Sequence, residues 1–322
     1  MLLMNPEADK VTRYNPLSGY LKKRYGQKVF KVTIDSHLTC PNRDGTIGYG
    51  GCSYCDPSTL VPEDFKGRTL SVDEQLRAGM ERVRRRHGAE RFIAYFQVNT
   101  NTHAPLDHLE RIYREALVHK DVVGLAVSTR PDCAGERILD LLVEIKKQKD
   151  LWLELGLQSA NDKTLERVNR GHGAAAFEDA VKRARDRSLE VCAHVIIGLP
   201  GEGREEILST ARFLSGLRPW GVKFHQLQVV KGTPLEEAYN RGELKVLGLE
   251  EYATLVVECL GLMPPHTLIH RLVGDTPERY LVAPRWGVNK FVVAENILKI
   301  MQQRNTRQGA FFERTFPLRN PF

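Results

Sequence analysis

Six cysteines in 322 residues are too few for a disulfide-stapled secreted domain, so any chemistry they carry belongs to free thiols in a reducing compartment. No run of eighteen apolar residues occurs, which leaves no candidate membrane-spanning helix. The opening MLLMNPEADK is too short and too soon charged for a secretory signal, so a cytoplasmic protein with no membrane partner is expected. Internal repeats, low-complexity tracts and an evident interdomain linker are also missing. Acidic residues are outnumbered, 40 against 47 basic ones, giving a net charge of +7 and a pI near 9.1. That balance favours a polyanionic partner such as nucleic acid. Against these absences stands a hydrophobic share of 42%, ordinary for a soluble core, in a length that allows one large domain or two.

Half of the cysteines fall in one stretch. CPNRDGTIGYGGCSYC, from Cys40 to Cys55, follows a strand-like segment and is rich in Gly, Pro, Asn and Asp, the composition of a loop. Three thiolates brought to one point by such a loop bind a soft metal centre, either a structural zinc or an iron-sulfur cluster. A closed zinc site needs a fourth Cys or His; His37 is near, but no second CxxC or CxxH follows. Three ligands, Cys40, Cys52 and Cys55, suit a cluster with one iron left open. Cys133, Cys192 and Cys259 lack such spacing and read as small core residues.

Apolar, β-branched runs recur along the chain at Val29 to Asp35, Phe92 to Gln97, Val122 to Thr129, Leu151 to Ser159, Val191 to Leu199 and Val222 to Val230. Their nearly continuous apolar character predicts strands buried on both faces, as in a parallel sheet. Between them, Leu106, Leu109, Ile112, Tyr113 and Ala116 repeat at helical spacing, as do Ile138, Leu141, Leu142 and Ile145. Six β/α units of this kind give either an open doubly wound sheet or a barrel. After residue 265 the rhythm stops.

The long gap followed by Cys52-Ser53-Tyr54-Cys55, a Cys-x-aromatic-Cys turn, resembles the radical S-adenosylmethionine (SAM) superfamily. The gap of eleven residues is wider than is usual there. Wide gaps mark the group resembling the catalytic subunit of the elongator complex, and the short bacterial proteins of the YhcC and YtqA type. The whole chain looks like the second. This resemblance implies an α/β fold, a partial (β/α)6 TIM-like barrel over residues 25–265, with an N-terminal segment 1–24 and a small C-terminal extension 266–322 covering the barrel mouth. It implies a 4Fe-4S cluster on Cys40, Cys52 and Cys55, beside Tyr54, with SAM chelating the fourth iron.

In a barrel the chemistry sits where strands end, and the resemblance places SAM contacts there. Gln97 and Asn99 occupy the slot after the second strand where relatives carry a glycine-rich motif; Asn99 and Asn101 equally suit turns and a helix cap. Ser128 and Arg130 end the third strand beside the expected ribose and methionine, Arg130 as a partner for a carboxylate or for an acidic neighbour. On the fourth strand, alternation puts Glu154, Gly156 and Gln158 on one face, where a buried Glu and Gln need partners that a ligand can supply. Glu154-Leu155-Gly156-Leu157-Gln158-Ser159 followed by Asn169-Arg170-Gly171-His172 is similar to the signature of the elongator-like group, and relatives in the porphyrin pathway contact SAM through residues that match Gln158 and Arg170. On the fifth strand His194, Ile196 and Gly198 match a late motif beside ribose and adenine, though His194 suits a core histidine as well.

The activity implied is reductive SAM cleavage at the cluster, with the resulting radical taking a hydrogen atom from substrate, and an electron donor such as flavodoxin or ferredoxin. The family resemblance points to tRNA as partner, and to conversion of 5-carboxymethylaminomethyluridine to 5-aminomethyluridine at the wobble position. The length leaves no room for the acetyltransferase domain of the elongator subunit, so acetyl transfer is not expected. The tail, with His266, His270, Arg271, Arg279, Arg285 and Trp286, suits phosphate contact and stacking, and Trp286 or Tyr280 could support a base. A radical enzyme acting on a peptide or metabolite, or a non-enzymatic metal or redox regulator, are the competing readings.

Overall fold

The computed structural model describes residues 12–312. Seven parallel strands form its main sheet: β1 Val29–Ile34, β2 Arg91–Phe96, β3 Val122–Thr129, β4 Asp150–Gln158, β5 Glu190–Ile197, β6 Gly221–Gln226 and, after the short β7 Val229–Val230, β8 Leu268–Arg271. Strand neighbours follow chain order, β1-β2-β3-β4-β5-β6-β8. The connecting helices are α1 Leu17–Tyr25, α2 Val72–His87, α3 Leu106–Leu117, α4 Glu136–Lys146, α5 Asp162–Arg167, α6 Ala174–Asp186, α7 Arg204–Leu217, α8 Pro234–Asn240, α9 Leu249–Leu262 and α10 Lys290–Gln303. None of the helices in residues 12–312 is long and apolar enough to cross a membrane.

Alternation along each strand separates two environments. Leu153, Leu155 and Leu157 of β4 join Val32, Phe92, Val127, Ala193 and Phe224 in the core under the helices. Ile93, Ala126, Trp152 and Cys192 point the other way and pack as a separate cluster. That inner face is enclosed by curling: Lys31 of β1 and Lys223 of β6 both bond Glu154 of β4, although five strand spacings would hold β1 and β6 about 24 Å apart in a flat sheet. Residues 15 and 16 and α1 lie over the seam between the two edges, where Ile269 N donates to Asn15 O at 2.7 Å.

Local signals explain element limits. α2 begins with a capping box, Ser71 and Glu74 bonding each other's backbone N–H, and ends at Gly88 in the left-handed region. The expected run from Val222 to Val230 divides into β6 and β7, and β7 pairs antiparallel with β9 Leu281–Ala283 in a second sheet. The six strands expected are present, and a seventh adds to them: the sheet continues past residue 265 into β8, four residues reading LIHR. His270 and Arg271 therefore stand on a sheet edge and not in a covering tail. α9 and α10 pack on each other behind it. Residues 1–11 and 313–322, the outer parts of the expected N-terminal segment and extension, lie outside the described residues.

Candidate active site

The loop after β1 is folded on itself and clamped to the turn before α6. Arg43 N and Asp44 N donate to Cys40 O, Asp44 pairs with Tyr49 in a small antiparallel bridge, and Cys55 N donates to Cys52 O at 2.9 Å. Gly51, with φ of 80°, turns where a Cβ would strike the Arg43 side chain. Asn42 Nδ2 donates to Asn169 O at 2.6 Å, Asn169 Nδ2 to Gly51 O at 2.8 Å, and Ser53 N to Val168 O at 3.0 Å. The two motifs singled out in the sequence, far apart in the chain, are thus bonded to each other.

A cavity of about 230 Å³ opens above the polar inner face. Its wall includes Cys40, Cys52, Tyr54 and Cys55 at one end, and Gln97, Asn99, Ser128, Arg130, Glu154, Gln158, Arg170 and His194 beyond them. Ile196 and Gly198 are not on this wall. Ile196 packs with the Leu199, Leu227 and Val229 cluster, and the space beside Gly198 that a flat ring was expected to use is filled by Leu247, 2.9 Å from where a Cβ would stand.

Each wall residue is held by the fold. Gly156 leaves room for two side chains, since a Cβ there would lie 2.7 Å from Arg170 Nη2 and 2.8 Å from Gln158 Nε2. The strand is irregular at this point, with Gln158 at φ 59°, the kind of conformation kept where surrounding structure imposes it. Arg170 Nη2 donates to Gly156 O at 2.6 Å and Nη1 to Cys52 Sγ at 3.7 Å, while its buried Nε has no partner. Arg130 forks onto Asp132 at 2.9 and 3.0 Å and donates to Arg170 O at 2.9 Å. Its carboxylate partner is therefore the acidic neighbour, and its part is to position Arg170. Asn99, at φ 62°, holds Leu38 O, and Asn101 bonds Ser128 O and Ser36. Neither asparagine caps α3, which starts after Pro105 without a side-chain cap. Gln97 accepts from Thr33 and Ser128 donates to Tyr95.

Glu154, expected to need a ligand, is satisfied by the protein. Lys31 and Lys223 both donate to it, Trp152 Nε1 donates at 3.0 Å and His194 Nε2 at 2.8 Å. Burial acts against its charge, but Lys223 and Lys31 overcome this and hold the carboxyl well below its usual range. Burial and the nearby Lys223 charge bring His194 down to about 4, so a neutral imidazole is the donor to the carboxylate. Burial likewise draws Lys223 down to about 7 against the pull of Glu154. Sequence reasoning missed Lys31 and Tyr95, and took Lys223, with His225, Gln226 and Gln228 of the sixth strand, only as residues that could face substrate. The available signal was a lysine in the middle of VFKVTI and another in GVKFHQ, charges that a buried strand tolerates only when paired.

Other expectations fall away from the cavity. Trp286 donates to Leu247 O at 3.1 Å and packs on Tyr252 with ring centroids 5.3 Å apart, so it is committed to the fold and not free for a base. Tyr280 is bonded by Lys66 and faced by Arg279 at 4.7 Å, linking the loop after Cys55 to the segment after β8. Several arginines on the outer helices are ion-paired: Arg82 with Asp64, Arg84 with Asp121, Arg183 with Asp179 and Arg187 with Asp140.

Cys40, Cys52 and Cys55 line the same end of the cavity, close enough for Cys52 and Cys40 to act on the Cys55 thiol. Among the described residues no three His, Cys, Asp or Glu side chains gather closely enough to hold one metal ion. Separate thiols are what a four-iron cluster requires, one to an iron. Burial raises the Cys52 thiol, yet the Arg170 guanidinium beside it brings it below its ordinary value; burial, then Cys52, pushes Cys55 up to about 11. With the orphaned Arg170 Nε and the cradle at Gly156, the residues fit a cluster that leaves one position for a second, polar ligand.

Residues 40–214 match the radical SAM superfamily and residues 219–303 the radical SAM C-terminal domain. The chain is 38% identical to YtqA of Bacillus subtilis over 310 residues, 96% of each chain. It is 27% identical to a tRNA uridine(34) acetyltransferase of Methanocaldococcus infernus over 217 residues, 65% of this chain and 38% of that protein. The solved structure of Elp3 from Methanocaldococcus infernus, lacking its first 46 residues, superposes on 89% of this chain and 67% of its own with a TM-score of 0.68 at 20% identity, a likeness of fold. With the cysteine loop, the curled parallel sheet and the matched segments in agreement, the chain belongs to the radical SAM superfamily, as an enzyme whose cofactors are a 4Fe-4S cluster and SAM.

Proposed function

We propose that this cytoplasmic radical SAM enzyme acts on the wobble uridine of tRNA, converting its 5-carboxymethylaminomethyl group to 5-aminomethyl: the methylene beside the carboxylate is oxidised by two electrons with SAM as the oxidant, water hydrolyses the resulting imine, and the two carbons leave as glyoxylate. In this reading Cys40, Cys52 and Cys55 hold the cluster, and Gln158 and Arg170 hold SAM against it. When bound, the two cofactors supply a carbon-centred radical able to take a hydrogen atom from a C–H bond. The protein's own part is positioning and exclusion. Glu154 is fully paired and Tyr95, bonded by Lys223 and Ser128, keeps its proton, because burial and then Glu154 raise its pKa.

The observation that carries the reading is one continuous cavity whose wall runs from the thiols to Lys223, His225 and Arg271 of β6 and β8, in a chain similar to a tRNA uridine enzyme. The net charge of +7 supports a polyanionic substrate. To reach the cavity a wobble base must leave its stack. Asp275 and Thr276, in the extension expected to cover the mouth, line the cavity, and the bond between Lys66 and Tyr280 supports that part for the extension. A flavodoxin or ferredoxin would deliver electrons through the cysteine loop.

Reduced, reconstituted protein incubated with SAM and tRNA carrying the 5-carboxymethylaminomethyl group should yield 5-aminomethyluridine and 5′-deoxyadenosine together. Binding should weaken with salt by about 0.7 to 0.9 log units per phosphate contact for each decade of concentration. Deoxyadenosine formed equally fast without tRNA, with the wobble nucleoside unchanged, would move the substrate to a peptide or metabolite.

A further inference from the structure

Five basic side chains besides histidine stand on the cavity wall. Arg43 bonds Cys55 O, Arg130 bonds Asp132, Arg170 bonds Gly156 O and Lys223 bonds Glu154. The guanidinium of the fifth, Arg271, makes no hydrogen bond or ion pair among the described residues. The acidic groups on the wall are already engaged, since Glu154 serves two lysines and Asp275 accepts from Lys290 at 2.6 Å. A lysine in this position can relieve an unbalanced charge by releasing its proton, as the lowered pKa of Lys223 illustrates. A guanidinium cannot.

The direction of Arg271 is set by backbone geometry. Gly221 pairs with Leu268 and Val222 with Ile269, but Lys223 pairs with Arg271, so His270 is an extra residue in β8. Such a bulge breaks strict alternation and re-aims a side chain. Register with Lys223, whose side chain points inward to Glu154, turns Arg271 inward as well. His270 is also inside, stacked edge-on against Trp152 and Trp220. Next to Arg271 stands His225, on the same wall, with a buried Nε2 that has no partner. Burial, then the Arg271 charge, keeps its ring neutral, leaving one N–H to donate.

A planar, permanently charged fork beside an unpaired imidazole, both facing a cavity, is matched by a carboxylate, which accepts two parallel N–H bonds from arginine and a third from histidine. Resting on the function proposed above, we infer that Arg271 and His225 form the seat for the carboxylate of the substrate's carboxymethylamino group. The seat selects that group over uridines without an acid. Arg170 bonds Cys52 and the Gly156 carbonyl, whereas Arg271 pairs with Lys223 on β6, so no residue of the seat is one proposed for SAM. A reacting methylene between nitrogen and carboxylate would be fixed at one end by this pair.

The test uses the full, reconstituted, SAM-loaded protein and three nucleosides: 5-carboxymethylaminomethyluridine, its methyl ester and 5-aminomethyluridine. Equilibrium binding should favour the acid over the ester by about tenfold or more. Arg271→Met should remove that preference and Arg271→Lys should restore part of it. Equal wild-type affinities for acid and ester overturn the seat without any variant being needed. So does a loss of SAM affinity in Arg271→Met as large as the loss for the acid. If the preference depends on Arg271 while tRNA yields no 5-aminomethyl product, the seat stands and the proposed reaction falls. If product forms without any preference, the reaction stands and the seat falls.

Discussion

Arg170 reaches from the turn before α6 to the cysteine loop, placing Nη1 3.7 Å from Cys52 Sγ while Nη2 bonds the Gly156 carbonyl at 2.6 Å. One guanidinium thereby ties the end of β4 to a thiol proposed as a cluster ligand. The remaining Nε is buried without a partner, a cost that a bound ligand would remove.

The first prediction follows from this contact. Gln158→Ala and Arg170→Met should bind iron yet lose SAM affinity about tenfold or more, as expected when a charge-assisted pair is lost from a buried site. Gly156→Ala should act in the same direction without removing any charge, because its methyl group would displace both side chains. Isothermal titration with SAM decides; three unchanged curves would make these residues purely structural.

The second concerns the metal centre. Anaerobic reconstitution should load about four irons per chain, and Cys40→Ala, Cys52→Ala and Cys55→Ala should each abolish the charge-transfer absorbance. Cys192→Ala and Cys259→Ala, buried thiols away from the cavity wall, should retain it. Iron lost on changing one of these two would show that the ligands were wrongly chosen.

The third is energetic. Glu154 pairs with the buried Lys223 and the half-buried Lys31, so Glu154→Gln leaves both lysines facing an amide. Removing one partner of such a pair costs about 3–5 kcal/mol. Urea unfolding of the apoprotein measures it, and a loss below about 1 kcal/mol would mean that water or neutral lysines already relieve the charge.

The fourth is a pH dependence. Burial raises Glu202 to about 7, although hydrogen bonds from Ser159 and Thr164 act the other way. The folded state then binds more protons than the unfolded state between the ordinary glutamate value of 4.5 and about 7. Stability contributed by the neutral acid is present below that window and lost as pH rises through it. The rise from 4.5 to about 7 corresponds to at most roughly 3 kcal/mol. Glu202→Gln, which keeps a neutral partner for Ser159, should gain on wild type in melting temperature as pH goes from 5 to 7.5. A constant difference across that range would place the Glu202 pKa in the ordinary carboxylate range.

Much was decided locally, and the sequence by itself determined that much. Nearly continuous apolar, β-branched runs with polar residues at their ends placed β1 to β6, because the strands of a covered parallel sheet are buried on both faces. Cysteine spacing picked out the loop, since three thiols in a turn-forming segment have few other uses. Alternation put Glu154, Gly156 and Gln158 on one face, and all three line the cavity.

Tertiary structure alone decided who partners whom. Glu154 meets Lys31 across 123 positions and Lys223 across 69, and no local rule indicates that a carboxylate thought to await a ligand is already paired. Gly198 offered backbone room that Leu247, from a distant segment, occupies. Trp286 looked available for stacking until Tyr252 and the Leu247 carbonyl took both its face and its N–H. β8 escaped notice because four residues carrying a histidine and an arginine have no strand signature of their own. They are held there by pairing with β6 and by the backbone of residue 15, and the bulge that this pairing creates turns Arg271 into the barrel. Contacts between residues far apart in the chain depend on the closure of the whole sheet, a property that no short window of sequence contains.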